Sequence, residues 1–304
     1  MSLQEQVGLL ASDSEKALSL THDSSSASTV LPDEPLIKIR SQGSRRLLDF
    51  RELWAHHELC FFLVWRDLKV RYKQTVLGSA WVILQPVLMT LVFTIFLGKL
   101  VRVPSDGLPY ALFVYAGLLP WTFLNNAVSS SCHSLIGSAP LITKIYFPRL
   151  LVPLATVAVR LADFIIAAVI LSALLLYYGI APGWSILIFP ALTLELTLLA
   201  IGLGLWSAAM NVRYRDVGTL LPVALQLWMF ASPVVYPASI VPAKWRMLYA
   251  LNPLTGIIEG MRASLFNGKF DWGSISASLV IVLLILSYAS YAFRRTEESF
   301  ADVV

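Results

Sequence analysis

The sequence predicts an all-α polytopic membrane protein with six transmembrane helices. Of its 304 residues, 57% are hydrophobic and only 14% are charged, whereas soluble domains carry about a quarter charged residues. So few charges leave too little polar surface for a soluble protein of this length. Apolar stretches long enough to cross a bilayer recur along the chain, and Lys and Arg cluster between them.

The chain begins with polar residues, rich in Ser and acidic side chains, and has no apolar segment typical of a cleaved signal peptide. We expect residues 1–44 to form a disordered cytoplasmic tail. The following segment, 45–78, mixes apolar, aromatic and basic residues. This mixture predicts an amphipathic helix at the membrane interface. A basic anchor that only orients the first span explains the same composition equally well.

Six apolar stretches satisfy the length of about 20 residues that a spanning helix needs. Their approximate limits are 79–100, 109–133, 150–178, 184–210, 217–236 and 273–293. The first contains Pro86, which neighbouring helices in a membrane protein can accommodate. Lys and Arg are more numerous on the side that holds both termini, so we expect the termini, including residues 296–304, to be cytoplasmic.

Two connections are too apolar for simple solvated loops. Residues 138–149 predict a short docking helix that presents Ile145, Tyr146 and Phe147, flanked by Lys144 and Arg149, to a cytoplasmic partner. A cytosolic extension of the flanking helices is the alternative. Residues 237–271, interrupted by Pro and Gly, predict two short re-entrant helices on the outer side, around 241–250 and 254–266. A folded outer loop is the alternative there.

Three ionisable residues lie within the predicted spans: Arg160, Asp163 and Glu195. Arg160 and Asp163 are three positions apart, hence on one helix face, where they can neutralise each other. Glu195 either joins this pair or faces a polar pathway. A structural ion pair is favoured over a proton relay.

Aromatic residues concentrate near the ends of the spans. As a group they fit the aromatic belts at the membrane interfaces, and some are alternatively candidates to line a conduit by stacking on sugar rings. The conduit candidates are Trp121, Phe123, Trp228, Phe230 and Tyr236.

Catalytic and cofactor motifs are not recognisable in the sequence. There is no G-x-x-x-x-G-K-[ST] phosphate loop, no G-x-S-x-G nucleophile elbow and no metal-ligand spacing among the four His residues. Gly202 and Gly204 lack the third glycine of a dinucleotide loop and indicate close helix packing instead. We therefore expect a chain that is not an enzyme and binds no cofactor. Its net charge of +4 reflects membrane topology rather than nucleic-acid binding.

Five sequence strings, in order, resemble the landmarks of ABC-2 type permeases that export polysaccharides. They are WRDLKVRYKQTVLG at 65–78, KIYFPR at 144–149, NVRYRD at 211–216, SPVVYP at 232–237 and LNP at 251–253. The resemblance covers about 45–295. It implies a six-helix domain at 79–295 in the bacterial inner membrane, a homodimer with a conduit between its subunits, and two copies of a separate ABC ATPase that bind ATP and Mg²⁺.

The resemblance also implies roles for three segments. Residues 45–78 become a gate helix, the stretch around 138–149 becomes the coupling helix that docks on the ATPase, and 237–271 becomes the outer re-entrant segment. The implied cargo is a lipid-linked glycan such as O-antigen, capsule or teichoic acid. Its carrier headgroup is expected near four cations of the gate helix: Arg66, Lys69, Arg71 and Lys73.

Two alternative functions would require different chemistry. An ABC-2 exporter of a small hydrophobic or lipid-like molecule would share the fold and have an aliphatic conduit. A secondary carrier, or a membrane-bound glycosyl- or acyltransferase, would need coupling acids or a catalytic cluster, neither of which is recognisable in the sequence.

Overall fold

Helices make up the regular structure of the described part of the chain. The computed structural model describes residues 54–73, 80–144 and 147–297, and no strand occurs among them. Of the predicted segments, the tail at 1–44, Ile145, Tyr146 and the last residues of the C-terminus lie outside the described residues.

The five long apolar helices match five of the six predicted spans. α2 covers Ala80–Phe93 and continues as a π-helix over Thr94–Val101. α3 covers Tyr110–Gly137, α5 covers Leu151–Tyr177, α6 covers Phe189–Arg213 after a 3₁₀ turn at Trp184–Ile188, and α10 covers Trp272–Glu297. Each is long and apolar enough to cross a bilayer, so the predicted class of polytopic helical membrane protein is confirmed.

The stretch predicted as the fifth span contains a shorter helix. α7 covers Val217–Phe230, and residues 231–236 after it form turns. Its 14 residues rise about 21 Å, less than the roughly 30 Å of a hydrocarbon core. A count of six spans therefore stays a prediction.

α3 lies at the centre of the bundle. In its apolar window 78% of the residues are buried, against 11–33% in the other four long helices. It packs mainly on α5 and α6, and α10 packs on the other side of α6. Gly202 and Gly204 permit both approaches, because Gly202 meets the backbone of α10 at Leu286 and Gly204 meets Ser131 of α3. This confirms the packing role predicted for these glycines.

One end of the bundle, which we call the basal end, holds the connection between α3 and α5 together with the C-terminal end of α10. A single helical turn, α4, covers Ala139–Ile142 there. A separate apolar cluster closes this end, with Leu63, Leu135, Phe147 and Phe293 among its buried members. α1, which covers His57–Lys73, contributes Leu63 and packs along α5, while its Phe61, Phe62 and Trp65 remain exposed.

The opposite, apical end holds two short helices, in agreement with the two that the sequence predicts there. α8 covers Ala243–Ala250 and is largely exposed, whereas α9 covers Pro253–Phe266 and is almost wholly buried. α9 begins after Asn252, whose side-chain oxygen caps the helix by accepting a hydrogen bond from the backbone N–H of Leu254. The segment 231–242 leads into α8 and packs against this buried helix through Pro233 and Val234.

Candidate functional site

A polar network joins the end of α1 to the middle of α5. The Asp163 carboxylate on α5 lies 3.0 Å from Nη2 of Arg71 and accepts a 2.8 Å hydrogen bond from the Tyr72 hydroxyl. The predicted pair with Arg160 is present, at a longer 3.5 Å. Asp163 is therefore shared among three donors, two of which come from α1 rather than from its own helix.

The network extends to a third helix, because Arg160 also donates to the Ser130 hydroxyl of α3 at 2.5 Å. Burial, together with the hydrogen bond to Asp163, raises the pKa of Tyr72 to about 12. The phenol therefore stays protonated, and stays a donor, at any physiological pH. Asp163 thus connects α1 with α5, and its partner Arg160 extends the connection to α3.

A small cavity lies beside this network. It has a volume of about 70 Å³, and its polar lining includes Arg71, Gln85, Asn126 and Arg160, with Trp81 on the side of α2. A buried water needs about 10–15 Å³ of such space and several polar partners, so the cavity has room for a few waters. It is too small to hold a sugar or a lipid headgroup in this conformation.

The four cations predicted to attract a carrier headgroup have different surroundings. Arg71 turns inward to Asp163, and Arg66 pairs with its neighbour Asp67 at 2.8 Å. Lys69 lies over the Trp65 ring at 5.1 Å, and Lys73 is exposed. The structure thus separates one packing residue, Arg71, from three residues on the surface of α1.

Glu195 does not join the Arg160–Asp163 pair among the contacts of the described residues. It is buried on α6, and the Ser278 hydroxyl of α10 lies within hydrogen-bond distance of both its carboxylate and the backbone carbonyl of Pro253. This carboxylate therefore connects α6, α10 and the start of α9.

The predicted docking segment is only partly described. Lys144 is exposed, and Ile145 and Tyr146 lie outside the described residues. Phe147 is 5% exposed and packs in the basal apolar cluster rather than lying on the surface, and the docking role of the segment stays a prediction. Arg149 donates from Nη1 to the backbone carbonyl of Glu297 at 2.7 Å, which ties the segment to the end of α10.

The five conduit candidates also differ in exposure and in contacts. Trp121 and Phe123 are 5% and 4% exposed, and they pack edge-on against Trp228 and Phe164 respectively. Phe230 is 54% exposed, the most accessible of the set. Tyr236 and Trp228 are partly exposed and hydrogen-bonded, Tyr236 to the carbonyl of Phe230 and Trp228 to Asn252.

Sequence reasoning missed the most deeply buried charge of the apical end. That residue is Arg262, which is not among the site residues predicted from the sequence and is 4% exposed on α9. The guanidinium donates to the carbonyls of Pro233 and Val234, both at 2.7 Å, and to Glu259 at 3.0 Å. It also lies 3.7 Å from the centre of the Phe113 ring. Glu259, three positions before Arg262 in an apolar stretch, was the signal available in the sequence.

Two of the five strings identified in the sequence, NVRYRD at 211–216 and LNP at 251–253, contain Asn residues that make similar contacts between elements. Asn211 donates to the carbonyl of Cys132 on α3 and accepts from the N–H of Gly218, which holds the turn between α6 and α7. Asn252 donates to Ser232 and to the carbonyl of Ala231, which holds the SPVVYP segment. These polar side chains position turns rather than perform chemistry.

Comparison with known proteins agrees with this architecture. The sequence profile of the family described as ABC-2 type transporter matches residues 58–266. The chain belongs to the ABC-2 type transporter family. Within it, the chain is 30% identical over 257 residues to the O-antigen export system permease protein RfbA of Myxococcus xanthus, a match that covers 84% of this chain and 98% of the relative.

Two other relatives of this ABC-2 protein extend the similarity. The O-antigen export system permease protein RfbA of Klebsiella pneumoniae is 26% identical over 79% of this chain and 92% of its own length. The polysialic acid transport protein KpsM of Escherichia coli is 24% identical over 77% of this chain and 91% of its own length. The matches thus include nearly the whole length of each relative.

Proposed function

We propose that this chain is the transmembrane permease subunit of an ATP-driven exporter that moves a lipid-linked polysaccharide, O-antigen or a similar surface glycan, across the bacterial inner membrane. The observation that carries the proposal is the match to O-antigen export permeases over almost their entire length. The long apolar helices of the described bundle fit that role.

ATP hydrolysis takes place on a separate subunit in this proposal, because the sequence has no phosphate loop. Two copies of the chain form the conduit, with two copies of the ATPase on the cytoplasmic side. In support of a homodimer, α2 with its π-helical extension is the least buried of the long helices and exposes Trp81, Leu91, Phe96 and Leu100. Such a face needs lipid or a second copy against it.

The basal end is the docking side for the ATPase, and both termini are cytoplasmic. Force applied to residues 138–149 reaches α10 directly, since Arg149 holds the carbonyl of Glu297. It reaches α5 as well, because Leu150 and Leu151 begin that helix within the basal apolar cluster. Movement of α5 relative to α1 then acts on the contacts at Asp163 and opens a lateral path for the lipid-linked substrate.

The surface cations of α1 attract the carrier pyrophosphate in this scheme. Arg66, Lys69 and Lys73 each favour an anionic headgroup by about 1 kcal/mol at the leaflet surface. Arg71 contributes only after its contact with Asp163 is broken.

Deletion of the gene tests the cargo. We expect loss of the surface polysaccharide, measured by immunoblotting of intact cells, with accumulation of the lipid-linked glycan inside the cell and recovery on complementation. Unchanged surface polysaccharide, with an altered content of a small lipid in the outer leaflet, would instead favour the exporter of a lipid-like molecule.

A second experiment tests the division of labour. The purified chain should hydrolyse no ATP in proteoliposomes and should acquire activity only when the ABC ATPase encoded beside it is added. Hydrolysis by the isolated chain that persists after further purification would contradict the proposed subunit role.

A further inference from the structure

Glu195 is a buried acidic residue that the proposed mechanism does not use. It lies on α6 and is 6% exposed. No Lys, Arg or His in the described part of the chain forms an ion pair with it. A carboxylate that is both ionised and buried is strongly disfavoured without a cation, because nothing replaces its hydration. The surroundings of Glu195 therefore favour the neutral carboxylic acid.

The Ser278 hydroxyl on α10 supports the same protonation state by its geometry. Its Oγ lies 2.5 Å from Oε1 of Glu195 and 2.8 Å from the carbonyl oxygen of Pro253. A Ser hydroxyl has one hydrogen to donate, and neither an ionised carboxylate nor a carbonyl oxygen can donate one. With Glu195 ionised, one of the two contacts would join two oxygens with no hydrogen between them. With Glu195 protonated, the acid donates to Ser278 and Ser278 donates to Pro253, so both contacts are hydrogen bonds.

Close packing of α9 on α10 keeps the Ser278 hydroxyl in this position. Ser278 is 0% exposed. Gly256, three residues after Pro253, brings the two helices together, since a Cβ at Gly256 would overlap the carbonyl oxygen of Ser274 and press on the Cβ of Ser278. The hydroxyl therefore cannot leave the two oxygens unless the helices move apart.

The helices that pack on α6 bring no second charge to Glu195. α7 carries no Lys, Arg, His, Asp or Glu, and α3 and α10 carry them only near their basal ends, at His133 and at 294–297. The charged residues of the other two helices are paired within their own helix: Arg160 with Asp163 on α5, and Glu259 with Arg262 on α9. The charge of this buried site is therefore set by the proton of Glu195.

We propose that Glu195 is a neutral carboxylic acid at physiological pH and that its proton is a switch that holds the apical end on the bundle. The protonated acid joins α6 to Ser278 of α10 and, through that hydroxyl, to the first turn of α9. Loss of the proton releases α9 from the other two helices. Asn252, next to Pro253, bonds to Ala231 and Ser232, so the switch also acts on the segment between α7 and α8.

Infrared spectroscopy of the full-length permease tests the protonation state. The detergent has no ester or carboxyl group, so a carboxylic acid C=O band, separate from the amide and carboxylate bands, comes from the protein. We expect such a band at neutral pH, with a shift in D₂O and a loss of intensity in Glu195→Gln. Glu259→Gln is the matched control and should leave the band unchanged, because Glu259 is ion-paired with Arg262 at 3.0 Å. Ser278→Ala should move the band to higher frequency, since the acid loses its acceptor.

Unfolding at different pH values tests the switch. Glu195→Gln keeps a donor for Ser278 in the same place but has no proton to lose. From neutral to alkaline pH, the unfolding temperature of the wild type should fall by about 4 °C or more beyond that of Glu195→Gln. The sign follows because the stability supplied by a neutral acid is present at low pH and lost as the pH rises. Glu259→Gln should retain the additional fall of the wild type.

Three results would contradict the proposal. An acid band that is unchanged in Glu195→Gln means that Glu195 is ionised. A band that keeps its frequency in Ser278→Ala means that the acid does not donate to Ser278. Equal pH dependence of the wild type and Glu195→Gln means that the proton is not a switch. The cargo is tested separately by gene deletion, because none of these measurements depends on export.

Discussion

Replacement of Asp163 by Leu should destabilise the permease because it leaves two cations without their carboxylate. The Asp163 side chain is 12% exposed, and the side chains of Arg71 and Arg160 are 31% and 21% exposed. Breaking a fully buried ion pair costs about 3–5 kcal/mol, whereas exposed pairs contribute about 0.2–1 kcal/mol. For this intermediate burial we expect a loss of about 2–3 kcal/mol, or a fall of roughly 4–12 °C in unfolding temperature.

A double-mutant cycle identifies the partner that matters. Arg71 lies 3.0 Å from Asp163 and Arg160 lies 3.5 Å away, so Arg71→Leu with Asp163→Leu should recover more stability than Arg160→Leu with Asp163→Leu. We expect a coupling of about 1–2 kcal/mol for the first pair and below about 1 kcal/mol for the second. The spacing of the sequence indicated the second pair, but in the structure Arg71 is the cation nearer to Asp163.

The assay is tryptophan fluorescence during heating in detergent, combined with the amount of monodisperse protein in gel filtration. Arg66→Leu and Asp67→Leu provide the control, because this adjacent pair has side chains 38% and 35% exposed and should change stability by less than about 1 kcal/mol. If Asp163→Leu is as stable as wild type but inactive, and both double variants stay inactive, these residues act in transport and the packing argument is refuted.

Three further predictions concern other parts of the chain. Gly117→Ala should cost about 1–3 kcal/mol of stability in the same heating assay, because the added Cβ would overlap the carbonyl of Val234. Gly137→Ala is the control and should be neutral, since the space around Gly137 is open. Equal stability of the two variants would contradict the close contact at Gly117. Phe147→Ser should reduce the yield of folded protein at a cost of about 3–5 kcal/mol, because the ring is buried; a stable variant that only loses ATPase stimulation would restore the docking role. A tag after Val304 should resist external protease while one near Gly268 is cleaved, and the opposite pattern would reverse the predicted orientation.

Most of the helices could be predicted because hydropathy is a property of consecutive residues. Five of the six predicted spans lie within a few residues of α2 with its π-helical extension, α3, α5, α6 and α10. The two apical helices were also foreseen, since Pro242 and the pair Asn252–Pro253 interrupt an apolar stretch at their starts. The length of α7 was not, because the apolar residues that follow Phe230 form turns held by Asn252 and Arg262, both distant in sequence.

The candidate site could be predicted less completely. The spacing of Arg160 and Asp163 identified a pair on one helix face, and that pair is present. The contacts of Asp163 with Arg71 and Tyr72 join residues about ninety positions apart, and no local pattern indicates them. In the same way, a basic and aromatic loop composition suggested an exposed docking role for Phe147, which the basal cluster buries.

The sequence by itself determined that this protein lies in a lipid bilayer, and it also determined the family. Apolar length and the placement of Lys and Arg are sums over neighbouring residues, and ordered strings such as LNP at 251–253 are read directly. Only the tertiary structure decided what each polar side chain meets. Asp163 and Glu195 are both acidic residues within predicted spans, yet Asp163 contacts Arg71 and Tyr72 of α1 whereas Glu195 contacts Ser278 of α10. That difference arises because helices far apart in sequence pack together, and a side chain's partners follow from that packing.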